Sequence, residues 1–528
     1  MRHLRFAPES IPNIPGRRTS IIAAMKNQTK EKTVADLGAA AGELLVAIEG
    51  PAAALVTGAA YDSRRVEPGN LFFCIPGEVT DGHRFAPDAV KAGAAALCVS
   101  RPLGLGVPEI VVSDVRKAMP LLSATLLDHP ADDLMLIGVT GTNGKTTTVY
   151  LIDSIFRADG RSTGLIGTVE TRIAGHTLPG IRTTPESLDL QELFADMRAA
   201  AIDAAVMEVT SHGIVLSRAD AVSFSVGVFT NLTQDHLDFH GDMNAYFAAK
   251  RAFFIPERCD TAAVNVDDPY GAKIAAGADV PLLTFGRTDG VDVRADEVNI
   301  RTDGSTFVAR TPKGETRIAT PLVGLFQVSN CLAATAAALQ AGIDLDAIES
   351  GIRSLTAVPG RFETISSGQP FSVVVDYAHT PDSLDNVLGA AREVAAAHGG
   401  RVVCVFGCGG DRDRSKRPLM GIAAARGSDV VIVTSDNPRS EDPQAIMGAI
   451  LEGVSTVRPE GPDASIVDRR EAIGHALKAA RPNDVVVIAG KGHETGQTFN
   501  DRTVPFDDRA VAREVLAELG WGEPGALP

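Results

Sequence analysis

The sequence predicts an α/β protein of three domains, in which the central and C-terminal domains are mostly parallel sheets with helices on both faces. Val-rich runs such as DVVVIAGKGH and RVVCVFGCGG alternate with alanine-rich stretches of helical period, and continuous apolar strands are typical of parallel sheets buried on both sides. The length of 528 residues suits roughly three to four domains. We expect an N-terminal extension at 1–32 and domains at 33–130, 131–357 and 358–528.

The composition argues against some classes of function. A net charge of −16 at pH 7 argues against a general nucleic-acid binder, and no apolar run approaches the roughly 18 residues of a membrane span. The six cysteines form no Cys-x-x-Cys pair, so they indicate neither a zinc site nor a disulfide framework. Because such cysteines suit a reducing compartment, we expect a cytoplasmic protein.

The N-terminal extension begins MRHLRFAPESIPNIPGRR, which is basic, contains prolines and shows no periodicity. A targeting peptide is one interpretation, but no apolar segment of adequate length follows the arginines. We expect a disordered extension, and Met25 is an alternative start of the chain.

The central domain begins with the string GVTGTNGKTTT, which follows the apolar run LMLIGVT and precedes residues of helical period. It approaches the usual phosphate-binding pattern, but Val139 stands where that pattern has its first glycine. Gly141 and Gly144 would let the backbone approach phosphates, Lys145 would supply a positive charge, and Thr146 would supply a hydroxyl for Mg²⁺. The string indicates a nucleotide site, with a glycine-rich turn as the alternative.

Further polar residues follow other strands of the central domain. Glu208 in MEVTSH is a candidate metal ligand or, equally, a helix N-cap or a solvated acid. NLTQDHLDFHG places His236 among aspartates, although Mg²⁺ prefers oxygen ligands and the string also suits an ordinary polar loop. We expect Lys250 to lie on an amphipathic helix, where, considered alone, it resembles a surface lysine.

Three charged strings follow strands of the C-terminal domain: DNPRSE, GGDRDRSKR and GKGHE. Arginines suit carboxylates and acids suit ammonium groups, so together the strings favour recognition of a zwitterion. Each string alone is more typical of a solvated charged loop. Since ligands gather beyond the carboxyl ends of parallel strands, we expect a site in the cleft between the two later domains.

Nine strings in this order carry a resemblance to a known family: TGTNGKTTT, MEVTSH, NLTQDHLDFHG, YFAAK, VPGRFE, VDYAHTPDSL, GCGGDRDRSKRPLMG, DNPR and AGKGHETGQ. Together they resemble the Mur ligases, and the similarity runs from YDSRRVEPGNLFF to FDDR. That family shares the variant glycine loop, so Val139 is not a defect. The resemblance implies an N-terminal α/β uridine-nucleotide-binding domain, a central P-loop-type ATPase domain and a C-terminal Rossmann-like α/β domain that binds an amino acid.

The resemblance also implies a reaction in peptidoglycan precursor synthesis. The enzyme would add meso-2,6-diaminopimelate to UDP-N-acetylmuramoyl-L-alanyl-D-glutamate through an acyl phosphate, with ATP as co-substrate and Mg²⁺ as cofactor. Lys250 matches a lysine that the family carries as a CO₂-derived carbamate (N6-carboxylysine). We expect a monomer with small-molecule substrates only.

The resemblance assigns roles by matching positions. DNPR is the string of relatives that use diaminopimelate, and Arg439 can grip a distal carboxylate that lysine lacks. The implied catalytic residues are Lys145, Glu208, His236 and Lys250; the metal ligands are Thr146, Glu208, His236 and carbamylated Lys250; the ATP contacts are Gly141, Thr142, Asn143, Gly144, Lys145, Thr146, Thr147, Asn330, Arg361, Asp376 and His379; the UDP-muramoyl-peptide contacts are Ser63, Arg64, His83, Thr183, Thr184, Thr210, Ser211, Arg218 and Lys250; the diaminopimelate contacts are Arg412, Asp436, Asn437, Pro438, Arg439, Gly490 and Glu494.

The sequence departs from the family pattern at Gln327, Leu216 and Thr210, which bears on fine contacts and not on the reaction. Other interpretations stay open. One is another Mur-type ligase, of the lysine-adding or folylpolyglutamate kind. Two others are a P-loop ATPase of regulation or transport that forms no bond, and an inactive scaffold that binds the nucleotide sugar.

Overall fold

The computed structural model describes residues 31–77, 80–180, 182–301, 303–500 and 502–522. Along these ranges a five-stranded, an eleven-stranded and a six-stranded sheet follow one another, and two small two-stranded sheets accompany them. Of the extension predicted to be disordered at 1–32, residues 1–30 lie outside the described residues. Its last residue, Lys32, pairs together with Thr33 against Leu55–Val56 as a short two-stranded sheet.

The N-terminal sheet is parallel except for its first strand, which pairs antiparallel with Glu109–Val112. Its core packs apolar strand residues against the helix Val115–Leu126, which Asp114 caps by accepting hydrogen bonds from two backbone N–H groups. In spatial order the strands are Leu45–Glu49, Glu109–Val112, Ala96–Val99, Asn70–Phe73 and Gly58–Ala60; the helices are Val34–Ala40, Ala86–Lys91 and Val115–Leu126, with 3₁₀ turns at Gly42–Leu44, Ser63–Arg65, Gly82–Phe85 and Pro130–Asp133.

The central sheet has a parallel middle and antiparallel strands at both ends. The antiparallel hairpins are additions that the sequence reasoning did not predict. In spatial order the strands are His176–Pro179, Glu170–Ile173, Thr163–Ile166, Ala204–Glu208, Met135–Thr140, Phe224–Phe229, Cys259–Asn265, Leu282–Gly286, Val293–Arg301, Gly304–Thr311 and Gly314–Thr320; the helices are Lys145–Ala158, Ser187–Ala199, Ser211–Val215, Leu237–His240, Met243–Arg251, Pro269–Ala276, Leu325–Gln340 and Leu345–Ser354.

Buried clusters cover both faces of the central sheet. On one face the helices Lys145–Ala158, Leu325–Gln340 and Leu345–Ser354 pack over Ile137 and Val139, and on the other face phenylalanines such as Phe194 pack against alternate strand residues. Burial on both faces explains why these strands are continuously apolar.

The C-terminal sheet is parallel except for the strand Glu363–Ile365. It has a buried cluster on each face. In spatial order the strands are Glu363–Ile365, Ser372–Asp376, Val485–Ala489, Val402–Phe406, Val430–Val433 and Ala464–Ser465, with a separate hairpin at Gly496–Phe499 and Arg502–Pro505; the helices are Pro381–Ala396, Lys416–Gly427, Pro443–Val457, Arg469–Ala479 and Asp508–Glu518.

The predicted fold class is confirmed by this architecture: an α/β chain with mostly parallel central and C-terminal sheets. Strand order sets the positions of the candidate residues. Glu208 lies opposite Val139 in the register, so the carboxylate comes next to the glycine loop. Asp376 lies opposite Ala489, which brings the strings VDYAHTP and GKGHE together. In the described ranges we find no helix with the length and apolarity that crossing a membrane requires.

Candidate active site

A cleft of about 610 Å³ opens between the central and C-terminal sheets, at the carboxyl ends of the strands. One wall is the glycine loop with the strand ends beside it, and the other comes from residues that follow Val358. The predicted ATP contacts that line it are Thr142, Asn143, Gly144, Lys145, Thr146, Thr147, Asn330, Arg361, Asp376 and His379.

The glycine loop needs its two glycines for steric reasons. Gly141 has φ +151°, and a Cβ there would lie 1.9 Å from Thr230 Oγ1. Gly144 has φ +84°, and a Cβ there would lie 2.3 Å from Asn330 Oδ1. The loop then enters the helix Lys145–Ala158, so that its N-terminal N–H groups and dipole suit phosphate groups in the cleft.

The side chain of Lys145 folds back over the loop. Its Nζ donates to Gly141 O at 3.0 Å and to Thr142 O at 2.8 Å. The Lys145 ammonium group therefore lies next to the loop backbone that would bind phosphates.

Thr146 and Glu208, two predicted metal ligands, contact each other through oxygen atoms. Thr146 Oγ1 donates to Glu208 Oε1 at 3.0 Å, and Arg361 Nη2 donates to Thr146 Oγ1 at 2.9 Å. In the part of the chain that the structure describes, no three His, Cys, Asp or Glu side chains gather as a metal site. A hydroxyl and a carboxylate, completed by water and phosphate oxygens, nevertheless fit the donor set that Mg²⁺ takes.

His236 adopts a left-handed backbone conformation, φ +54°, ahead of the short helix Leu237–His240. Its Nε2 lies 3.4 Å from Asp235 Oδ2. Desolvation in the cleft lowers the pKa of the half-exposed His236, although the Asp235 carboxylate works in the opposite direction. The imidazole is therefore neutral near pH 7, which is the form that binds metal.

Lys250 is fully buried on the helix Met243–Arg251 and does not lie on the surface. Its Nζ donates to Gly141 O at 2.7 Å, the same carbonyl that Lys145 contacts. Burial, and then the positive charge of Lys145, hold the pKa of Lys250 well below its ordinary value. A neutral amine is the form that reacts with CO₂.

The C-terminal wall of the cleft is held by buried polar contacts. The Asp376 carboxylate accepts backbone N–H groups from Phe362 at 2.6 Å and Ala378 at 2.7 Å, and burial raises its pKa to about 6. The Arg361 guanidinium lies 4.5 Å from the centre of the Tyr377 ring. Asp376 thus fixes the loop that carries the other contacts.

Asn330 faces the glycine loop from the helix Leu325–Gln340, and its Nδ2 donates to Gln327 Oε1 at 2.9 Å. Gln327, where the family pattern has asparagine, is fully buried and orients this amide. The other departures are compatible with the fold, since Thr210 caps the helix Ser211–Val215 and Leu216 ends it.

The predicted uridine contacts lie in the N-terminal domain, outside the described cleft. Ser63 and Arg64 are in a 3₁₀ turn, and the exposed Arg64 pairs with Asp62 at 2.6 Å. His83 is buried: its Nε2 accepts the Ser100 N–H at 3.0 Å, so its Nδ1 carries the proton toward Asp81. The structure therefore gives His83 a role in fixing its loop.

The predicted muramoyl-peptide contacts form a hydroxyl network beside Glu208. Thr184 Oγ1 donates to Glu208 O at 3.0 Å and contacts Thr210 Oγ1 at 3.0 Å. Thr183 and Thr210 line the cleft. Two further predicted residues of this group contact protein side chains. Ser211 Oγ lies 2.9 Å from His240 Nε2, and Arg218 Nη2 lies 2.9 Å from the carboxylate of the buried Glu186.

A second cavity of about 260 Å³ adjoins the cleft in the C-terminal domain. Its wall includes most of the predicted diaminopimelate contacts: Arg412, Asp436, Asn437, Arg439, Gly490 and Glu494. The two cavities share Asp235, His236, Tyr377 and His379 as lining residues. A ligand in the cleft and a ligand in the second cavity would therefore both lie against these four residues.

Arg439 and Glu494 supply opposite charges in the second cavity. Arg439 has φ +51°, and its Nη1 donates to Gly410 O at 2.8 Å. Glu494 Oε2 accepts from Asn437 Nδ2 at 2.8 Å. Pro438 does not line the cavity and its carbonyl packs against Gly410, while the exposed Arg412 donates to Asp411 O at 3.1 Å.

Sequence reasoning missed two residues at these sites. Asp382 accepts from Asn143 Nδ2 at 2.7 Å and so joins the C-terminal domain to the glycine loop. Lys491 is fully buried and contacts both Asn437 and Glu494. Both belong to strings with candidate residues, VDYAHTPDSL and GKGHE, but the contacts span residues distant in sequence.

Family models match most of the chain. The Mur ligase middle domain matches residues 139–338, the Mur ligase glutamate ligase domain matches 360–492, and the Mur ligase family catalytic domain matches 55–128. The UDP-N-acetylmuramoyl-L-alanyl-D-glutamate–2,6-diaminopimelate ligase of Geobacillus thermodenitrificans is 48% identical over 87% of this chain and 94% of its own. The protein of that name from Streptomyces coelicolor is 47% identical over 87% and 92%.

Solved structures are similar as well. One described as UDP-N-acetylmuramoyl-L-alanyl-D-glutamate–2,6-diaminopimelate ligase is 32% identical, with a TM-score of 0.66, over 93% of this chain and 100% of its own. MurF from Acinetobacter baumannii is 23% identical, with a TM-score of 0.64, over 93% and 99%. At that identity the MurF similarity concerns the fold alone.

Proposed function

The chain belongs to the Mur ligase family, and from this premise we propose how its residues divide the work of the reaction. It is an ATP-dependent ligase that adds 2,6-diaminopimelate to UDP-N-acetylmuramoyl-L-alanyl-D-glutamate in peptidoglycan synthesis. These residue roles are supported best by the four residues that line both the cleft and the second cavity.

The first step activates a carboxylate in the cleft. An oxygen of the D-glutamate carboxylate attacks the γ-phosphorus of ATP, the bond to the ADP oxygen breaks, and an acyl phosphate forms. Positioning and charge neutralisation supply most of the rate in such transfers. Lys145 and the backbone N–H groups of the loop hold the phosphates, and Arg361 adds positive charge beside Thr146.

Thr146 and Glu208 would hold one Mg²⁺ at this site, and His236 would hold a second near the transferred phosphoryl group. When bound, such ions neutralise phosphate charge and orient the oxygens that enter and leave. Thr146 and Glu208 already lie in contact, and neutral His236 lines both cavities. These residues are thereby already in place for the transfer of the γ-phosphoryl group, the step with the most negative charge.

The second step joins the amino acid. The amine of diaminopimelate attacks the carbonyl carbon of the acyl phosphate, phosphate leaves with the carboxylate oxygen, and the amine loses its proton to solvent. Arg439 binds the distal carboxylate and Glu494 the distal ammonium, so the meso isomer presents its reacting amine to the shared wall. L-Lysine lacks the distal carboxylate and would leave Arg439 without its ligand.

Lys250 is carbamylated in the active enzyme. Its neutral amine attacks the carbon of CO₂, the N–C bond forms as one C–O π bond opens, and the nitrogen releases a proton, so the neutral side chain becomes an anion. The anion would replace the hydrogen bond to Gly141 O with a favourable contact to Lys145. A fully buried Lys250 ammonium would instead be repelled by the positive charge of Lys145.

We further propose that the ranges 33–130, 131–357 and 358–528 bind the uridine nucleotide, ATP and the amino acid respectively. Ser63 and Arg64 serve the first range, and Thr183, Thr184, Thr210 and Arg218 hold the muramoyl peptide at the second. The cytoplasm, where ATP is available, suits the six buried thiols.

Amino-acid-dependent release of phosphate tests the proposal. With ATP, Mg²⁺ and the UDP-muramoyl dipeptide, meso-diaminopimelate should release one phosphate per amide formed, counted by mass spectrometry of the product. L-Lysine should be used less efficiently by roughly 10⁴–10⁵-fold. Equal use of L-lysine would overturn the assignment of Arg439, and phosphate release without any amino acid would favour a P-loop ATPase.

A further inference from the structure

A buried lysine lies behind the second cavity. Lys491 has no exposed surface, and it follows Gly490 at the end of the strand Val485–Ala489. A fully buried ammonium requires compensation by hydrogen bonds or opposite charge. Its partners therefore indicate what it does.

Lys491 contacts two cavity residues from different strings. Its Nζ donates to Asn437 Oδ1 at 3.0 Å and to Glu494 Oε2 at 2.8 Å. Asn437 Nδ2 also donates to Glu494 Oε2, at 2.8 Å. One ammonium thus links DNPR with GKGHE.

The contacts fix the orientation of both partners. Asn437 Oδ1 also accepts the Thr498 N–H at 2.9 Å, so the amide nitrogen can only turn toward Glu494. Within the described ranges, both side-chain hydrogen bonds to the Glu494 carboxylate reach Oε2. The second oxygen, Oε1, is left for a ligand, and the Glu494 side chain keeps 29% of its surface exposed.

The contacts also set the local charge. Lys491 balances Glu494, and Arg439 then adds one positive charge to the same cavity. A distal group that carries both a carboxylate and an ammonium matches this arrangement. Asp235, Asp238, Asp413 and Asp436 also line the cavity, as do Arg412 and Lys416, so carboxylates outnumber cations there and Lys491 reduces that excess by one charge. Without Lys491 the cavity would be more negative and would suit the distal cation of L-lysine better.

We propose that Lys491 is a positioning and specificity-determining residue, which aims Glu494 at the distal ammonium of the amino acid and balances its charge. The inference rests on the proposed function, because it concerns the same amino-acid site. Lys491 acts through Glu494 and Asn437 and does not touch the reacting atoms.

The test measures steady-state kinetics of Lys491→Met with diaminopimelate and with L-lysine. We expect the diaminopimelate KM to rise at least about tenfold, because a charge-assisted hydrogen bond is lost. The KM values for ATP and for the UDP-muramoyl dipeptide should stay within about twofold. The preference for diaminopimelate over L-lysine should fall at least about tenfold, since the cavity becomes more negative by one charge.

Lys478→Met is the matched control, with the same chemical change at an exposed position of the same domain; it should behave as the wild type. The proposal is overturned if Lys491→Met keeps its diaminopimelate KM and selectivity, or if all three KM values rise together. A wild type that makes no diaminopimelate amide would overturn the proposed function, and this inference with it.

A double-mutant cycle covers the case in which Lys491→Met does not fold. The variant Lys491→Met/Glu494→Gln buries no unpaired charge, so it retains a route to folding. If Lys491 works through Glu494, the double variant should match the diaminopimelate KM of Glu494→Gln alone within about twofold. A further rise of tenfold or more in the double variant would overturn the proposal.

Discussion

Lys250 is a lysine whose surroundings disfavour its charge. It is fully buried, and its Nζ shares the Gly141 carbonyl with Lys145. Because the folded pKa is lowered, the amine is neutral at a lower pH than an exposed lysine. The proposed carbamate would then form above that folded pKa, and acidification would reverse it as protons compete with CO₂.

Lys250→Ala should therefore lower kcat by at least about 100-fold, the scale of losing one preorganised charge in an active site. Short-chain carboxylates should restore part of the rate by occupying the space of the carbamate. Removal of CO₂ from the buffer should inactivate the wild type as the pH falls, and bicarbonate should reverse the loss. Full activity of Lys250→Ala without additives would contradict the carbamate.

Arg439 offers a second test at the residue scale. Arg439→Ala should raise the diaminopimelate KM by about 100-fold, since two charge-assisted hydrogen bonds to the distal carboxylate are lost. The KM for ATP should change less than twofold, because Arg439 lines the second cavity and not the cleft. A parallel rise in both KM values would contradict the separation of the two subsites.

At the element scale, a buried ion pair holds the strand ends of the amino-acid site. Arg469 and Asp508 have no exposed surface and pair through two hydrogen bonds of 2.8 and 2.7 Å. Arg469 also donates to Ala489 O at 2.9 Å and to Ser435 O at 3.3 Å. These carbonyls directly precede Gly490 and Asp436, so the pair ties the GKGHE strand to the DNPR strand.

Arg469→Met should destabilise the C-terminal domain by about 3–5 kcal/mol, because Asp508 would stay buried without its partner. The melting temperature of that domain should drop by about 10 °C, measured by calorimetry. Arg469→Met/Asp508→Leu should lose much less, since it removes both charges. A single variant as stable as the double would contradict this account.

The elements show what a sequence can predict. The continuous apolar strands and the polar residues that follow them were sufficient to predict the parallel sheets and their common ligand edge. The antiparallel strands between 293 and 320 were not predicted, because exposed hairpins carry a weaker apolar signal. Lys491 and Arg469 were missed because a buried cation is identified by partners distant in sequence, and a local pattern does not contain them.

For the whole molecule, the contacts between the central and C-terminal domains matter most. Asp382 lies in the first turn of the helix Pro381–Ala396 of the C-terminal domain and accepts from Asn143 of the glycine loop. Arg361 reaches Thr146 from the same side. ATP in the cleft would therefore contact both domains, and closure around it would exclude water from the acyl phosphate.

Asp382→Ala should raise the KM for ATP about tenfold, the effect of one charge-assisted hydrogen bond. Asp382→Asn is the matched control, because its carbonyl oxygen still accepts from Asn143. Small-angle scattering should show less compaction on addition of ATP for Asp382→Ala than for Asp382→Asn. Identical behaviour of the two variants would contradict a role for this contact in closure.

The central claim is that a carboxylate phosphorylated in the cleft meets an amine held in the adjoining cavity. Its most direct measurement uses UDP-muramoyl dipeptide with ¹⁸O in the D-glutamate carboxylate, followed by mass spectrometry of the released phosphate. The account predicts one ¹⁸O atom per phosphate and dependence on diaminopimelate, with Arg439→Ala reducing label and amide in parallel. Phosphate without ¹⁸O, whose fourth oxygen comes from water, would contradict the account.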